Sequence, residues 1–123
     1  MALALERGDR GADADVLPCM IQLSADGDAA RGGATADEVA EIVEAVEAAE
    51  HLTLTGFMVV PPLDADPARV FTEARSLTDA YAADLNRGLR LSAGMSGDFA
   101  TAIACGSDIV RVGTALLGPR PVP

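Results

Sequence analysis

The chain has 123 residues and a formal net charge of −10; half of it is apolar and only 3% aromatic. That is enough for one domain with a core of Ala, Val, Leu and Ile, and the acidic balance argues against nucleic acid or an anionic membrane as partner. No apolar run approaches the roughly 20 residues that span a bilayer. Glu6, Arg7, Asp9 and Arg10 break any signal-peptide core, and the distant Cys19 and Cys105 read as a reduced pair in a cytoplasmic protein.

In chain order, Ala2–Arg10 reads as the end of a helix, stopped by Gly8 and Gly11. Val16–Leu23 is a short apolar run and predicts a buried strand, with Pro18 tolerable near its start. A polar loop follows to Ala34. Thr35 with Glu38 three residues on has capping-box spacing, and Val39, Ile42, Val43 and Val46 carry a helical period to about Glu50. Leu52–Val60 predicts the second strand, ended by Pro61 and Pro62. Asp66-Pro67 opens a helix with an apolar stripe of Val70, Ala74, Leu77, Tyr81 and Leu85, and Gly88 as its C-cap. Leu89–Ser92 predicts a short third strand, Asp98–Cys105 a short helix ending at Gly106, and Asp108–Val112 the fourth strand. Gly113–Gly118 has room for one helical turn.

Strands alternating with helices imply βα units and a parallel sheet. Four such strands suit a small open α/β sheet or half of a (β/α)8 barrel. In such barrels ligands sit at the C-terminal ends of the strands, and phosphates bind after the last ones. Gly94-Met95-Ser96 follows the third strand and Gly113-Thr114 the fourth. Glycine admits close approach of backbone N–H groups to an anion, and the hydroxyls can donate as well. Each cluster alone reads as an ordinary turn; two at successive strand ends favour a phosphate site. Arg111 lies between Val110 and Val112, so its guanidinium either snorkels outward or points into the barrel mouth. All nine basic residues are Arg. With no lysine in the chain, a phosphate-bearing carbonyl cofactor could not be held here as the usual internal Schiff base.

These residues resemble the C-terminal signature of the YggS/PROSC family, the pyridoxal phosphate homeostasis proteins. The family pattern LSMGMS-x-D, AI-x-x-G, VR(I/V)GTA-(I/L)-(F/L)G is matched here by LSAGMSGD, AIACG and VRVGTALLG. Upstream, Gln22-Leu23-Ser24 with Arg31-Gly32-Gly33 and Leu54-Thr55-Gly56-Phe57-Met58 before Pro61-Pro62 resemble two further family segments. The resemblance implies a (β/α)8 barrel like the alanine racemase N-terminal domain, of which this chain is the C-terminal half, one partial domain lacking the family's Schiff-base lysine. It implies pyridoxal 5′-phosphate (PLP) as cofactor, non-covalent at most. Ser96 and the Gly113–Thr114 backbone would hold the phosphate, with Met95 backbone nearby and Arg111 approaching the pyridine nitrogen. A guanidinium can only donate, so that nitrogen stays unprotonated and the ring is a weak electron sink. The implied role is carriage or homeostasis rather than catalysis. Ala93, Leu117, Arg31 and Ser24 depart from the family's usual Met, Phe, Lys and Asn.

Two other readings compete: a non-binding fragment or interaction module that folds only with a partner, and a fragment of an alanine-racemase-like PLP enzyme, which the missing lysine and missing β-rich domain weaken. A half-barrel leaves unpaired edges near Val16–Leu23 and Asp108–Val112 and an uncovered face, which predicts self-association. The single histidine, His51, reads as surface or capping. Asp64 and Asp66 flank a helix start rather than form a catalytic pair, and Met58 reads as core.

Overall fold

The computed structural model describes residues 16–27, 32–113 and 117. The helix expected over Ala2–Arg10, together with Arg31 and Thr114, lies outside them. The elements are β1 (Leu17–Leu23), α1 (Ala36–Ala48), β2 (Leu52–Val59), α2 (Pro67–Leu85), β3 (Arg90–Met95), α3 (Phe99–Ala104) and β4 (Ile109–Arg111). The four strands are parallel and lie side by side in chain order, the arrangement of half a (β/α)8 barrel.

The helix boundaries follow from their capping chemistry. The Glu38 carboxylate accepts the Thr35 N–H at 3.0 Å and the Thr35 hydroxyl at 2.8 Å, tying down the start of α1. Asp66 accepts the Ala68 N–H at 3.1 Å with Pro67 in the first helical position, so this carboxylate is a cap. At the far end of α2 the structure corrects the expected Gly88 cap. Asn86 takes the left-handed conformation at φ 52° and ψ 47°, and its N–H bonds back to the helix. Asn tolerates that region better than other side chains, so the helix stops two residues early.

Strand alternation sorts the sheet into two unlike faces. Ile21, Leu23, Leu54, Phe57, Val59, Leu91 and Ala93 pack with Val39, Val43, Val70, Phe71 and Ala102 of the helices in one core. Phe57 meets the Tyr81 ring at 5.5 Å between centroids. Phe71 and Thr78, absent from the expected stripe of α2, are fully buried in it. Met20, Gln22, Thr53, Met58 and Arg111 alternate onto the opposite face and are half-buried. Met58 therefore leaves the core that the sequence assigns it to: Phe57 and Val59 on either side occupy the helix face.

The expected free edge at β1 is also corrected in part. Ala34 bridges to Leu23, with Ser24 N–H donating to Ala34 O at 2.8 Å and Ala34 N–H to Gln22 O at 2.7 Å. The C-terminal end of β1 is thus paired on its outer side by its own loop. His51 sits in the turn before β2, where its carbonyl accepts the Leu17 N–H at 2.7 Å. Among the described residues no helix is long and apolar enough to cross a membrane.

Candidate functional site

The residues of interest gather where β2, β3 and β4 end. β3 is longer than the sequence suggests: Gly94 and Met95 are its last residues and the turn begins at Ser96. The reason is a bulge. Ser92 pairs with Ile109 and Met95 with Arg111, so β3 uses one residue more than β4 over the same stretch. Gly94 absorbs the extra length at φ +102°, a conformation that side chains disfavour. A Cβ there would lie 2.6 Å from Ala102 Cβ and 3.1 Å from Phe99 Cα. The strand continues through its glycine because α3 packs directly against it.

The turn beyond is closed by Asp98, whose carboxylate accepts the Met95 N–H at 2.8 Å while its own N–H donates to Met95 O at 3.1 Å. Ser96 lies half-buried within this turn. Arg111 stands beside Met95 and reaches across the sheet: Nη2 donates to the Val59 carbonyl at the end of β2, at 3.1 Å. Its Nε is buried with no hydrogen-bond partner among the described residues. The guanidinium thus lies over the sheet at the end of β2.

Gly113 follows two residues later and is exposed; a Cβ there would meet nothing within 4 Å. Its carbonyl accepts the Leu117 N–H at 2.7 Å, the spacing of one helical turn. Further round the rim a cavity of about 260 Å³ is lined by Gln22, Leu23, Ser24, Asp26, Gly32 and Val60. Val60 is the residue after the carbonyl that Arg111 grips. The structure therefore brings Met95, Ser96, Arg111 and Gly113 to one end of adjacent strands; Thr114 lies outside the described residues.

Several supports were not singled out in the sequence. Asp108 accepts the Leu91 N–H and the Arg75 guanidinium, both at 2.8 Å, and Arg75 also donates to Gly106 O at 3.0 Å. The Leu91 N–H, followed by the Arg75 guanidinium, holds the Asp108 carboxyl below its ordinary value against an opposing effect of burial. On the far side, Arg87 clamps Glu47 in a bidentate pair and donates to Leu54 O at 3.1 Å, which lowers the Glu47 carboxyl. The only signal for these pairings is a polar residue at a strand start or helix end, and the partners lie 17 to 40 residues away.

Residues 3–121 match the family model "Alanine racemase, N-terminal domain". The pyridoxal phosphate homeostasis protein of Corynebacterium glutamicum is 48% identical over 122 residues, a match that takes in 99% of this chain and 54% of that protein. Among solved structures, a protein of Bifidobacterium adolescentis superimposes with a TM-score of 0.80 at 27% identity, over 94% of this chain and 48% of its own. PipY of Synechococcus elongatus, solved with PLP bound, superimposes with a TM-score of 0.71 at 29% identity, over 85% of this chain and 50% of its own. The chain spans about half the length of the curated relatives it matches. Together with the half-barrel architecture and the signature at its strand ends, these matches establish that the chain belongs to the alanine racemase N-terminal-domain family, in the YggS/PROSC branch of pyridoxal phosphate homeostasis proteins.

Proposed function

We propose that this chain binds pyridoxal 5′-phosphate reversibly at the rim formed by β3 and β4 and serves PLP homeostasis rather than catalysis. The observation that carries the proposal is Arg111. Its guanidinium is anchored through Nη2 to the Val59 carbonyl while the buried Nε–H has no acceptor among the described residues. A buried donor without a partner costs about 1–3 kcal/mol, more for a charged group, and the pyridine nitrogen of PLP is an acceptor of the right kind.

The rest of the rim fits the same group. Gly113 leaves open space where a phosphate needs backbone approach, and Ser96 offers a hydroxyl on the neighbouring strand end. Met95 borders the proposed phosphate cradle with its own N–H held by the Asp98 carboxylate, and the Thr114 backbone would complete it. When bound, PLP supplies an aldehyde and an electron-withdrawing ring. Arg111 donates to the ring nitrogen and leaves it unprotonated, which disfavours carbanion chemistry. The chain has no lysine, so contact rests on hydrogen bonds and charge. The PLP-bound structure of PipY, similar over 85% of this chain, supports the same choice of cofactor. A second reading, self-association, is favoured by the half-barrel itself. Among the described residues β4 pairs on one side only, and the sheet face bearing Met20, Gln22, Met58 and Arg111 has no layer over it.

The test is titration of the full chain with PLP, its N-terminal amine blocked, against inorganic phosphate as reference. Arg111→Ala is expected to weaken PLP about tenfold or more while changing phosphate little. Gly113→Asp should abolish both, since it sets a carboxylate where the anion approaches. Equal loss of both ligands in Arg111→Ala, or a borohydride-reducible adduct on the blocked chain, would refute the assignment.

A further inference from the structure

We infer that Ser107 is a positioning residue that holds the β3 bulge and thereby sets the Met95–Ser96 turn beside Arg111; its relevance to a ligand rests on the reading of that rim as a PLP site. The argument begins at the end of α3. Gly106 turns left-handed at φ +100°, its N–H donating to Ile103 O at 3.1 Å while the Ser107 N–H donates to Ala102 O at 2.9 Å. These two bonds are the paired closure of a Schellman cap, which fixes the residue after the glycine in space. A Cβ on Gly106 would lie 2.7 Å from Arg75 Cδ, so the turn is also pinned from α2.

The cap delivers the Ser107 hydroxyl into the seam between β3 and β4. Its oxygen accepts the Ala93 N–H at 3.2 Å and its proton faces the carbonyls of Ala93 at 2.7 Å and Ile109 at 2.9 Å. Leu91 O lies at 3.3 Å. This is where the ladder is broken: between the Ser92–Ile109 and Met95–Arg111 pairs, Ala93 and Gly94 together face Val110. A bulge leaves backbone groups without ladder partners, and Ser107 binds both polar groups of Ala93. The extra residue has a directional consequence. Without it Gly94 would stand opposite Arg111. With it, Gly94 turns to α3 and Met95 takes that place, so the turn carrying Ser96 starts one residue later. Bulges re-aim side chains in this way beside functional sites.

The experiment compares Ser107→Ala, Ser107→Thr and Val43→Ala in the full chain. Val43 is a buried residue of α1, so its truncation lowers stability without touching the seam. Ligand-free protein is followed through the backbone amide resonances of Met95 and Ser96 and the Arg111 Nε–H resonance, and PLP binding is measured separately. Ser107→Ala is expected to shift all three resonances and weaken PLP about tenfold. Ser107→Thr, which keeps the hydroxyl, should restore both, and Val43→Ala should move neither. The inference is overturned if the three resonances stay in place in Ser107→Ala, or if Val43→Ala shifts them equally. If the unaltered chain does not take PLP, the functional proposal fails, while the ligand-free resonances still decide whether Ser107 sets the turn.

Discussion

Replacing Gly94 by alanine isolates what the bulge requires of its backbone. The residue sits at φ +102°, and a side chain there costs about 1–2 kcal/mol in strain. The new Cβ would also lie 2.6 Å from Ala102 Cβ and 3.1 Å from Phe99 Cα, so α3 must move outward, an overpacking cost of about 1–3 kcal/mol. Against this stands the lower entropy of the unfolded alanine chain, about 0.4–1 kcal/mol. The expected net loss is about 2–4 kcal/mol, which lowers the urea midpoint by roughly 1–2 M at an m-value of about 2 kcal/mol/M. Gly88→Ala is the paired control: nothing lies within 4 Å of its Cβ and its φ is not positive, so its midpoint should hold or rise. Far-ultraviolet circular dichroism in a urea series measures both. A Gly94→Ala unfolding free energy within about 0.5 kcal/mol of the unaltered chain would refute the packing argument, as would an equal loss in Gly88→Ala.

Acid sensitivity should trace partly to Asp108. Its folded value is depressed, so its contribution is complete above the unfolded carboxyl value near 3.8 and is lost as pH falls through the folded one. With the side chain 39% exposed, we assign that contribution no more than about 1 kcal/mol. Asp108→Asn should make the loss of stability below about pH 4 shallower; an unchanged acid limb in thermal melts would exclude the pairing with Leu91 and Arg75. Light scattering of the full chain should give a mass above the monomer, and a variant with Arg in place of Met58 should shift it toward monomer by placing a charge on the open sheet face. A cooperative monomer at all concentrations would remove the self-association reading.

The element order and the gathering of Met95, Ser96, Arg111 and Gly113 at the strand ends were legible because each rests on local signals. The capping box at Thr35–Glu38, the Asp66-Pro67 start and the Gly106 stop are all read within a few residues, and all three recur in the structure. Boundaries went astray where long-range packing decides. Gly94 looks like a turn residue, yet α3 presses against it and keeps it in the strand. Asn86 overrides Gly88 because only its backbone carries the required geometry. Met58 looks like core because its neighbours are apolar, while the face it occupies depends on register across the bulge in β2, where Met20 pairs with Gly56 directly after Cys19 pairs with Leu54. The bonds from the Ser107 hydroxyl to Ala93 and the Arg75–Asp108 clamp carried no readable pattern, since they join residues 14 and 33 positions apart.

The strands lie in the sheet in the same order as they leave the ribosome. Each new βα unit finds its partner in the unit just made, so no segment must wait, unpaired and exposed, for a distant one to be synthesised. Such topology keeps the closing loops short and folding fast for a parallel sheet. It also lets assembly advance by accretion, each unit joining the edge of the one before it without rethreading what is already built, which is the property that lets a barrel grow from repeats of a single supersecondary piece.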